Sequence, residues 1–366
     1  MGPRARTVAA GFALATSWTW CIGMFAPVLL TRMFGWPGIV AFAVPNVLGC
    51  ALFGYLRSRE RSVLETRDHA LAMAVFSAAT VAYQVYFVGW IGGPMLAESM
   101  RSDLHGATAL LAGGLFAAAL ALSFVPRRAL WAIASLAFVT SLATFAFLPW
   151  GRMNALPASG EWSAAQLGFV LPTIVFGFAL SPNLDLTFHR ARQEAPEGAR
   201  PHAFGVFGIA FASMLVLTTC YAMSPQGLMN PAVRAHILTQ LVLTSALHLS
   251  ELRAVGLAPS LRTALALGAG ALGLGAALAA PSEATYMRFL GLYGLLFPAY
   301  AALALRTVGR PNLKALVALG LAMAAVVPVL DASFTDEPVW SAPVAVVLPL
   351  LAIVLFARRT PSASPR

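Results

Sequence analysis

Long apolar stretches separated by short polar connections run through the whole chain. Twelve of these runs are each close to the roughly 20 residues that cross a bilayer as a helix. They lie at 8–31, 36–57, 70–93, 105–125, 129–149, 163–184, 202–223, 232–255, 261–280, 285–305, 312–330 and 339–357. The longest connections, near 150–162 and 185–202, are too short for a soluble domain. The pattern predicts an all-α polytopic membrane protein, with residues 1–366 forming a single transmembrane domain.

Composition and the placement of charge support the same class. Hydrophobic residues make up 59% of the chain and charged residues only 10%, against about 25% charged residues in soluble domains. Of the 24 Lys and Arg, 19 fall on the N-terminal side of the predicted membrane and five on the other side. By the positive-inside rule we expect a multi-pass protein of the cell (inner) membrane with both termini cytoplasmic.

The net charge of +10 raises the question of a nucleic-acid partner. The cations lie in short connections, without a basic patch interleaved with aromatic residues, so we expect no nucleic acid. The lipid bilayer is the expected environment, and no obligate protein partner is evident. The first run begins like a signal peptide, but it stays apolar through Leu30, which favours a retained helix.

The run at 232–255 carries a polar stripe. The stripe falls within about a third of the helix circumference, since its members are spaced by four residues and then by three. Its members are His236, Gln240, Thr244, His248 and Glu251. Hydrocarbon cannot satisfy these groups, so the stripe must face protein or a water-filled cavity. His236 and His248 lie about 18 Å apart on such a helix. They cannot share an ion, and with no HExxH, CxxC or His/Cys array in the chain we expect no metal.

A short internal similarity suggests a repeat. FGWPGI at 34–39 returns in part as FGVFGI at 204–209, five spans later. Five is an odd number, so the second copy enters the membrane from the opposite side, as in an inverted repeat. Chance is the alternative, because only four letters match. The repeat predicts one half at 8–150 (helices 1–5), a second at 160–306 (helices 6–10), two additional helices at 310–358 and a disordered tail at 359–366.

The opening of the chain carries a family resemblance. The stretch GFALATSWTWCIGMFAPVLLTRMFGWPGIVAFAVPNVLGCALFGYLRSR begins at Gly11 and combines a polar, Gly-interrupted first span with a GWPG turn. It resembles the first two helices of sodium/solute symporters and, more broadly, the five-plus-five inverted-repeat fold of the bacterial leucine transporter. The resemblance covers about 45 residues, and the rest of the chain agrees in helix count and orientation.

The resemblance implies a sodium site between an interrupted first helix and the eighth helix. Adjacent hydroxyls of the eighth helix and backbone carbonyls are the ligands expected there, and such oxygens suit a hard cation. The implied ion-binding residues are Ser17, Leu241, Thr244 and Ser245. The alternative is that these hydroxyls bond to their own helix backbone or serve close packing.

The resemblance also implies that the third helix lines a substrate site. Aromatic side chains of the first span and one amide of the polar stripe complete the expected lining. The candidates are Trp18, Trp20, Tyr83, Gln84, Tyr86 and Gln240. An interfacial aromatic belt or lipid-facing packing is the alternative for the aromatic residues. A buried amide such as Gln84 needs hydrogen-bond partners.

The sixth run ends in SPNLDLTFHRAR, where Pro182 interrupts the helix and frees carbonyls. Asp185 and His189, four residues apart, share a helical face and suggest a proton-exchanging pair or a gate. The full set of gate or proton-relay candidates is Asn183, Asp185, His189, His236 and His248. The alternative is a helix end at the interface, with Asp185 capping it or pairing with Arg190 or Arg192.

These patterns favour a secondary transporter that works by alternating access around a site between helices 1, 3, 6 and 8. We expect coupling to a cation, with sodium as the expected ion and bound Na+ as the only cofactor. With no fixed charge expected at the centre of a span, a small neutral or zwitterionic solute fits best. The chain has no ATP-binding motif, and we expect no enzymatic activity.

Two alternatives remain open at this point. One is a six-plus-six facilitator fold, although the connection ERSVLETRD lacks the Gly-Asp-Arg-Gly-Arg pattern of that fold. The other is a non-transporting sensor or an intramembrane enzyme that uses His189, His236 or His248.

Overall fold

The computed structural model describes residues 2–147, 156–195, 202–223, 230–307, 311–335 and 339–357. These residues form fifteen α-helices and no strand, and the predicted tail at 359–366 lies outside them. In chain order the helices are α1 (Pro3–Trp18), α2 (Cys21–Phe34), α3 (Trp36–Leu56), α4 (Arg59–Asp68), α5 (Ala70–Met100), α6 (Leu104–Leu122), α7 (Arg127–Phe147), α8 (Ala164–Leu180), α9 (Leu186–Glu194), α10 (His202–Ala222), α11 (Pro231–Ala254), α12 (Pro259–Ala279), α13 (Glu283–Arg306), α14 (Leu313–Thr335) and α15 (Val344–Phe356).

Membrane crossing follows from helix length and apolarity. Within the described ranges, ten helices are long and apolar enough to span, and the bent pair of α1 and α2 makes eleven. Helix α11 is more polar and is not among them, but its 24 residues extend about 36 Å. All five members of its polar stripe are buried, at 4% exposure or less. The prediction that this stripe faces protein is therefore confirmed.

The first span is broken, as the sequence predicted. Helix α1 ends at Trp18, α2 begins at Cys21, and the two helices meet at 63°. Hydroxyls before the break bond to their own helix, Ser17 to the Leu14 carbonyl and Thr19 to the Ala15 carbonyl. Such bonds offer the backbone an alternative to the helical ladder. The break leaves carbonyls and N–H groups without intrahelical partners.

The sixth span is broken as well. Helix α8 gives way to a 3₁₀ turn at Ser181–Leu184, and Asp185 then caps α9 by accepting a hydrogen bond from the Thr187 backbone N–H. The expectation of a connecting loop over 185–202 is wrong, since residues 186–194 are helical. Leu186, Phe188 and Ala191 of this short helix are buried, but a hydropathy window misses the helix because its other residues are polar.

The two similar hexapeptides differ in local structure. Gly35 forms the turn between α2 and α3 with φ +69°, where a side chain is disfavoured and a Cβ would meet the Pro157 carbonyl. The second copy lies inside α10. Both predicted halves nevertheless begin with a broken helix. The boundaries of the repeat stay a prediction.

Two further features surround the bundle. Helices α14 and α15 pack on each other and on α13, and α15 also packs on α8, around a separate apolar cluster that contains Leu295, Leu319 and Val326. Helix α4, which the sequence did not predict, lies in the connection between α3 and α5 and packs against α9. It sits at what we call the arginine-rich end of the bundle, marked by Arg57, Arg127 and Arg190. We call the other end of the bundle the opposite end.

Candidate functional site

The two broken helices meet inside the bundle. The hydroxyls of Thr187 on α9 and Ser17 on α1 lie 2.9 Å apart, and Thr187 also lies 2.7 Å from the Asp185 carboxylate. Trp18 contacts the ring of Phe188 edge-on, with 5.0 Å between centroids. All of these residues are buried. The interruptions of the first and sixth spans therefore form one polar region in the interior of the protein.

A cluster of oxygens joins α11 to the first break. The Thr244 hydroxyl donates to the Thr16 carbonyl at 2.7 Å and lies 3.3 Å from the Thr19 carbonyl. Ser245 is fully buried, and its hydroxyl has no hydrogen-bond partner among the described residues. We call the Thr244 and Ser245 hydroxyls with the Thr16 and Thr19 carbonyls the oxygen cluster. It consists of the ligand type that hard cations prefer.

The other two predicted ion ligands differ in placement. Leu241 is buried one turn before the hydroxyl pair, as the sequence suggested. The Ser17 hydroxyl, in contrast, donates to the Leu14 carbonyl and bonds to Thr187. Ser17 therefore connects the first break to α9, and its hydroxyl is not part of the oxygen cluster.

A carboxylate and an imidazole lie beside this cluster. Asp185 Oδ1 accepts hydrogen bonds from the Thr187 backbone N–H and hydroxyl, both at 2.7 Å. Asp185 Oδ2 lies 3.8 Å from His248 Nε2, beyond hydrogen-bond distance, and neither atom has a hydrogen-bond partner among the described residues. Both side chains are fully buried.

The expected side-chain pair of Asp185 and His189 is wrong. His189 Nδ1 lies 2.9 Å from the Ser62 hydroxyl of α4, and its Nε2 lies 3.0 Å from the Asn183 carbonyl. Arg57 donates to the Asn183 side chain. His189 thus holds α4, and Asn183 holds the end of α3, against the second break, while the carboxylate turns to His248. We also expected no fixed charge at the centre of a span. That expectation is wrong, because the Asp185 carboxylate is buried at the break of the sixth span.

Helix α5 supports the site with one polar stripe. Gln84 Oε1 accepts a hydrogen bond from the Cys21 N–H at 3.0 Å and so satisfies the first turn of α2. The Ser77 hydroxyl lies 3.3 Å from His248 Nδ1, and Thr80 bonds to the Tyr293 hydroxyl at 2.9 Å. Sequence reasoning missed Ser77, although its spacing to Thr80 and Gln84 is the same signal that singled out α11.

Aromatic rings enclose this region. Trp18 and Trp20 pack at 4.2 Å between centroids, and the Trp18 indole donates to Asn46. Trp20 also contacts Phe76, His248 and Tyr293. Phe76 and Tyr293 were not predicted, since single aromatic residues in apolar helices carry no distinguishing pattern. Both predicted tryptophans therefore line the centre.

The two predicted tyrosines point to the opposite end. Tyr83 donates to the Tyr286 carbonyl at 2.8 Å and Tyr86 to the Ser282 carbonyl at 2.6 Å, both on the α13 side. Both rings stack on Phe289. Their exposures of 2% and 0% exclude lipid-facing packing. They belong to what we call the aromatic layer, formed by Phe25, Tyr83, Tyr86, Phe87, Trp90, Tyr286 and Phe289.

Two predicted residues lie apart from these groups. His236 is buried against the ring of Phe145, at 4.8 Å between centroids, and neither of its nitrogens has a hydrogen-bond partner among the described residues. The buried Gln240 amide is likewise unpartnered in the part of the chain that the structure describes. Within those same ranges, no cluster of three or more His, Cys, Asp or Glu forms a candidate metal site.

An ionic cluster closes the arginine-rich end. Glu251 Oε2 accepts a hydrogen bond from Arg190 at 3.1 Å, and Glu251 also forms an ion pair with Arg127 at 3.1 Å without hydrogen-bond geometry. The Glu251 side chain is 3% exposed, against 25% and 31% for the two arginines. A cavity of about 290 Å³ lies beside it, lined in part by Leu186, Gln193 and Glu251.

Comparison with solved structures identifies the fold. The chain is similar to an outward-open, substrate-bound structure of a Na+-coupled sialic acid symporter, with TM-score 0.54 and 11% identity over 97% of this chain and 91% of that one. It is also similar to the inward-facing conformation of Mhp1, with TM-score 0.51 and 14% identity over 95% and 90%. A closed, bromovinylhydantoin-bound Mhp1, a nucleobase-cation-symport-1 family transporter, has TM-score 0.47 and 16% identity over 97% and 94%.

The similarities to the sialic acid symporter and to inward-facing Mhp1 extend over nearly the whole length of each chain. Neither a protein-family model nor a curated protein matches this sequence. The predicted leucine-transporter-type fold is therefore confirmed as a fold, and the six-plus-six facilitator alternative is not supported.

Proposed function

We propose that this protein is a cation-coupled secondary transporter, with sodium as the coupling ion, that moves a small solute by alternating access. The observation that carries the proposal is the oxygen cluster. The Thr244 hydroxyl of α11 bonds to the Thr16 carbonyl and lies near the Thr19 carbonyl at the break of the first span. The hydroxyl of the next residue, Ser245, has no hydrogen-bond partner among the described residues. Sodium would replace the Thr244 hydrogen bond with direct coordination by these oxygens.

The proposed solute site is formed by two tryptophans and the break of the sixth span. Trp18 and Trp20 supply aromatic walls, and the ends of α8 and α9 supply backbone groups for hydrogen bonding. A neutral or zwitterionic solute suits this lining, with Asp185 facing its polar end. The protein would work in the cell membrane with the arginine-rich end in the cytoplasm, in line with the excess of Lys and Arg there.

An intramembrane enzyme is less well supported. One row of side chains has the residue types of a nucleophilic triad: Ser77, His248 and Asp185. However, the 3.8 Å from His248 to Asp185 exceeds hydrogen-bond distance, and all three side chains are fully buried. The other two histidines contact different residues: His189 bonds to Ser62, and His236 packs on the ring of Phe145.

The test is sodium-dependent stabilisation of the detergent-solubilised protein, with choline chloride at equal ionic strength as the reference. A sodium concentration about ten times the dissociation constant stabilises the folded state by about 1.4 kcal/mol. Ser245→Ala is the sharpest variant, because within the part of the chain that the structure describes this hydroxyl has no partner to lose in the absence of sodium. We expect unchanged stability in choline and a lost response to sodium, in this variant and in Thr244→Ala/Ser245→Ala.

Ser213→Ala is the matched control, because the Ser213 hydroxyl is exposed and bonds only to the Ile209 carbonyl of its own helix. It should respond to sodium as the unmodified protein does. An equal sodium response in Ser245→Ala and Ser213→Ala would reject the oxygen cluster as the ion site.

A further inference from the structure

The buried pair of Asp185 and His248 is unusual in its charge balance. Across the described residues, His248 is the only ion-pair partner of Asp185. An isolated carboxylate in a membrane interior is strongly disfavoured, so Asp185 needs a compensating positive charge or a proton. With neutral His248 the pair carries charge −1, and one added proton brings it to zero. The pair is therefore a place where one proton resides.

The two residues of the pair also lie on different helices, which can move relative to each other. Asp185 belongs to the break of the sixth span, whereas His248 lies on α11 and contacts Ser77 of α5. The Asp185 carboxylate connects through Thr187 to Ser17 of the first span. Four spans thus meet at one proton position, and any relative motion of α9 and α11 changes the 3.8 Å separation.

The oxygen cluster lies next to this proton position. Thr244 and His248 are one turn apart on α11, about 6 Å along the helix axis. Ser17, which is linked to Asp185 through Thr187, is adjacent in the chain to Thr16, whose carbonyl belongs to the cluster. A cation in the cluster and a proton on the pair therefore repel each other through a low-dielectric interior.

We propose that Asp185 and His248 form a proton site that competes with sodium, so that the pair releases its proton when the cation binds in the oxygen cluster. The competition with sodium rests on the proposed function, because it requires a sodium ion in the oxygen cluster. The proton site itself rests only on the charge balance of Asp185 and His248. In the cycle, a sodium ion entering from one side would leave the pair at charge −1, and sodium release would restore the proton.

Other titratable groups face the pair from the surrounding helices. They are a thiol and a phenol, which ordinarily ionise above about pH 8. They comprise Cys50 on α3 and Tyr293 on α13. On α9, His189 is held by Ser62 and Asn183 on its other side. A proton that is exchanged between about pH 6 and pH 8 in the unmodified protein but not in Asp185→Asn is therefore assigned to the pair.

The test measures the sodium dissociation constant from thermal unfolding of the full chain between about pH 6 and pH 8. Strict competition weakens sodium binding by about tenfold for each pH unit of acidification, because one proton must leave for each ion. Asp185→Asn keeps the helix cap, since Asn caps as well as Asp does, but removes the proton site. We expect its sodium affinity to lose the pH dependence.

Asp103→Asn is the matched control, because Asp103 also caps a helix but is exposed. Its sodium affinity should change with pH as steeply as that of the unmodified protein. A pH-independent sodium affinity in the unmodified protein, or an unchanged slope in Asp185→Asn, would overturn the proton site and leave the sodium site standing.

A second measurement separates this inference from the proposed function. If sodium fails to stabilise the protein at any pH, the oxygen cluster is rejected as the ion site, but the proton site can still be tested. Potentiometric titration without sodium, between about pH 9 and pH 5, should show one proton more bound by the unmodified protein than by Asp185→Asn. An equal proton uptake in the two would overturn the inference.

Discussion

The two ends of the bundle are closed by different chemistry. At the arginine-rich end, Glu251 holds Arg127 and Arg190, which remain partly exposed beside a cavity. At the opposite end, the rings of the aromatic layer pack on one another over the second half of the first span. The hydroxyl of Tyr286 even reaches the Cys21 carbonyl, at 3.3 Å.

In the proposed alternating-access cycle each end opens in turn, and this difference predicts what each opening costs. Water can solvate the two arginines and the carboxylate as they separate, so opening the ionic end exchanges charged contacts for hydration. Separating the aromatic layer exposes apolar surface, for which water offers no replacement. We therefore expect the arginine-rich end to be sensitive to charge and salt, and the opposite end to be sensitive to side-chain volume.

The largest effect is expected from Tyr286→Ala. Tyr286 is fully buried and contacts Phe25, Tyr83 and Trp90, so truncation leaves a cavity and costs about 3–5 kcal/mol. The measurement is thermal unfolding together with alkylation of Cys21, which lies beneath the layer, in a Cys50→Ala/Cys220→Ala background. Faster alkylation of Cys21 is expected, with no salt dependence. A strongly salt-dependent rate would contradict the assignment of this end to apolar packing.

The next effect is expected from Glu251→Gln at the ionic end. Breaking a buried ion pair costs about 3–5 kcal/mol, and the partial exposure of both arginines reduces this to about 2 kcal/mol. The readout is alkylation of Leu186→Cys, a buried position that lines the adjacent cavity, in a background without the three native cysteines. We expect alkylation about 30-fold faster, which corresponds to 2 kcal/mol.

Salt provides the control for that variant. High salt should raise the alkylation rate of Leu186→Cys when Glu251 is present and should have a smaller effect in Glu251→Gln. In that variant the pairs with Glu251 are already broken, and only the more exposed pairs of Glu194 with Arg127 and Arg190 remain. Equal salt effects with and without Glu251 would show that the cluster does not close this end.

Sequence patterns revealed these elements unequally. The twelve apolar runs follow from hydropathy and length, and the inward polar stripe of α11 follows from periodicity, both of which are local properties. The break of the first span was implied by the family resemblance. The partner of Asp185 follows from none of these. The 3₁₀ turn ends the helix before Asp185, so this residue caps α9 and the four-residue rule that pointed to His189 no longer applies. The ion pair of Arg127 and Glu251 joins distant positions and leaves no local signal.

Helix α4 illustrates a further limit. Its ten residues are mostly charged and carry no apolar run, so hydropathy reads them as a loop. The helix forms because Ser58 caps it and Arg61 pairs with Glu65 one turn later. Its position depends on Ser62 meeting His189. Contacts of this kind depend on how two distant segments dock.

A smaller effect is expected from Gln84→Leu, which acts between the two ends. The substitution leaves the buried Cys21 N–H without an acceptor, at a cost of about 1–3 kcal/mol. The variant should lower the unfolding temperature and accelerate alkylation of Cys21 less than Tyr286→Ala does. Gln84→Glu restores an acceptor at the same position and should recover part of the loss. A complete absence of destabilisation in Gln84→Leu would mean that the first turn of α2 needs no external acceptor.

The smallest effect is expected from Tyr86→Phe, which removes a hydroxyl from the aromatic layer but keeps its ring. The Tyr86 hydroxyl donates to the Ser282 carbonyl and accepts from the Ser282 N–H, so the loss is about 1 kcal/mol. Tyr55→Phe, at a half-exposed tyrosine, is the control and should change nothing measurable. Alkylation of Cys21 should stay close to its original rate, because the stacked rings remain. If Tyr86→Phe instead matched Tyr286→Ala, hydrogen bonds would close this end as well, and the contrast with the arginine-rich end would disappear.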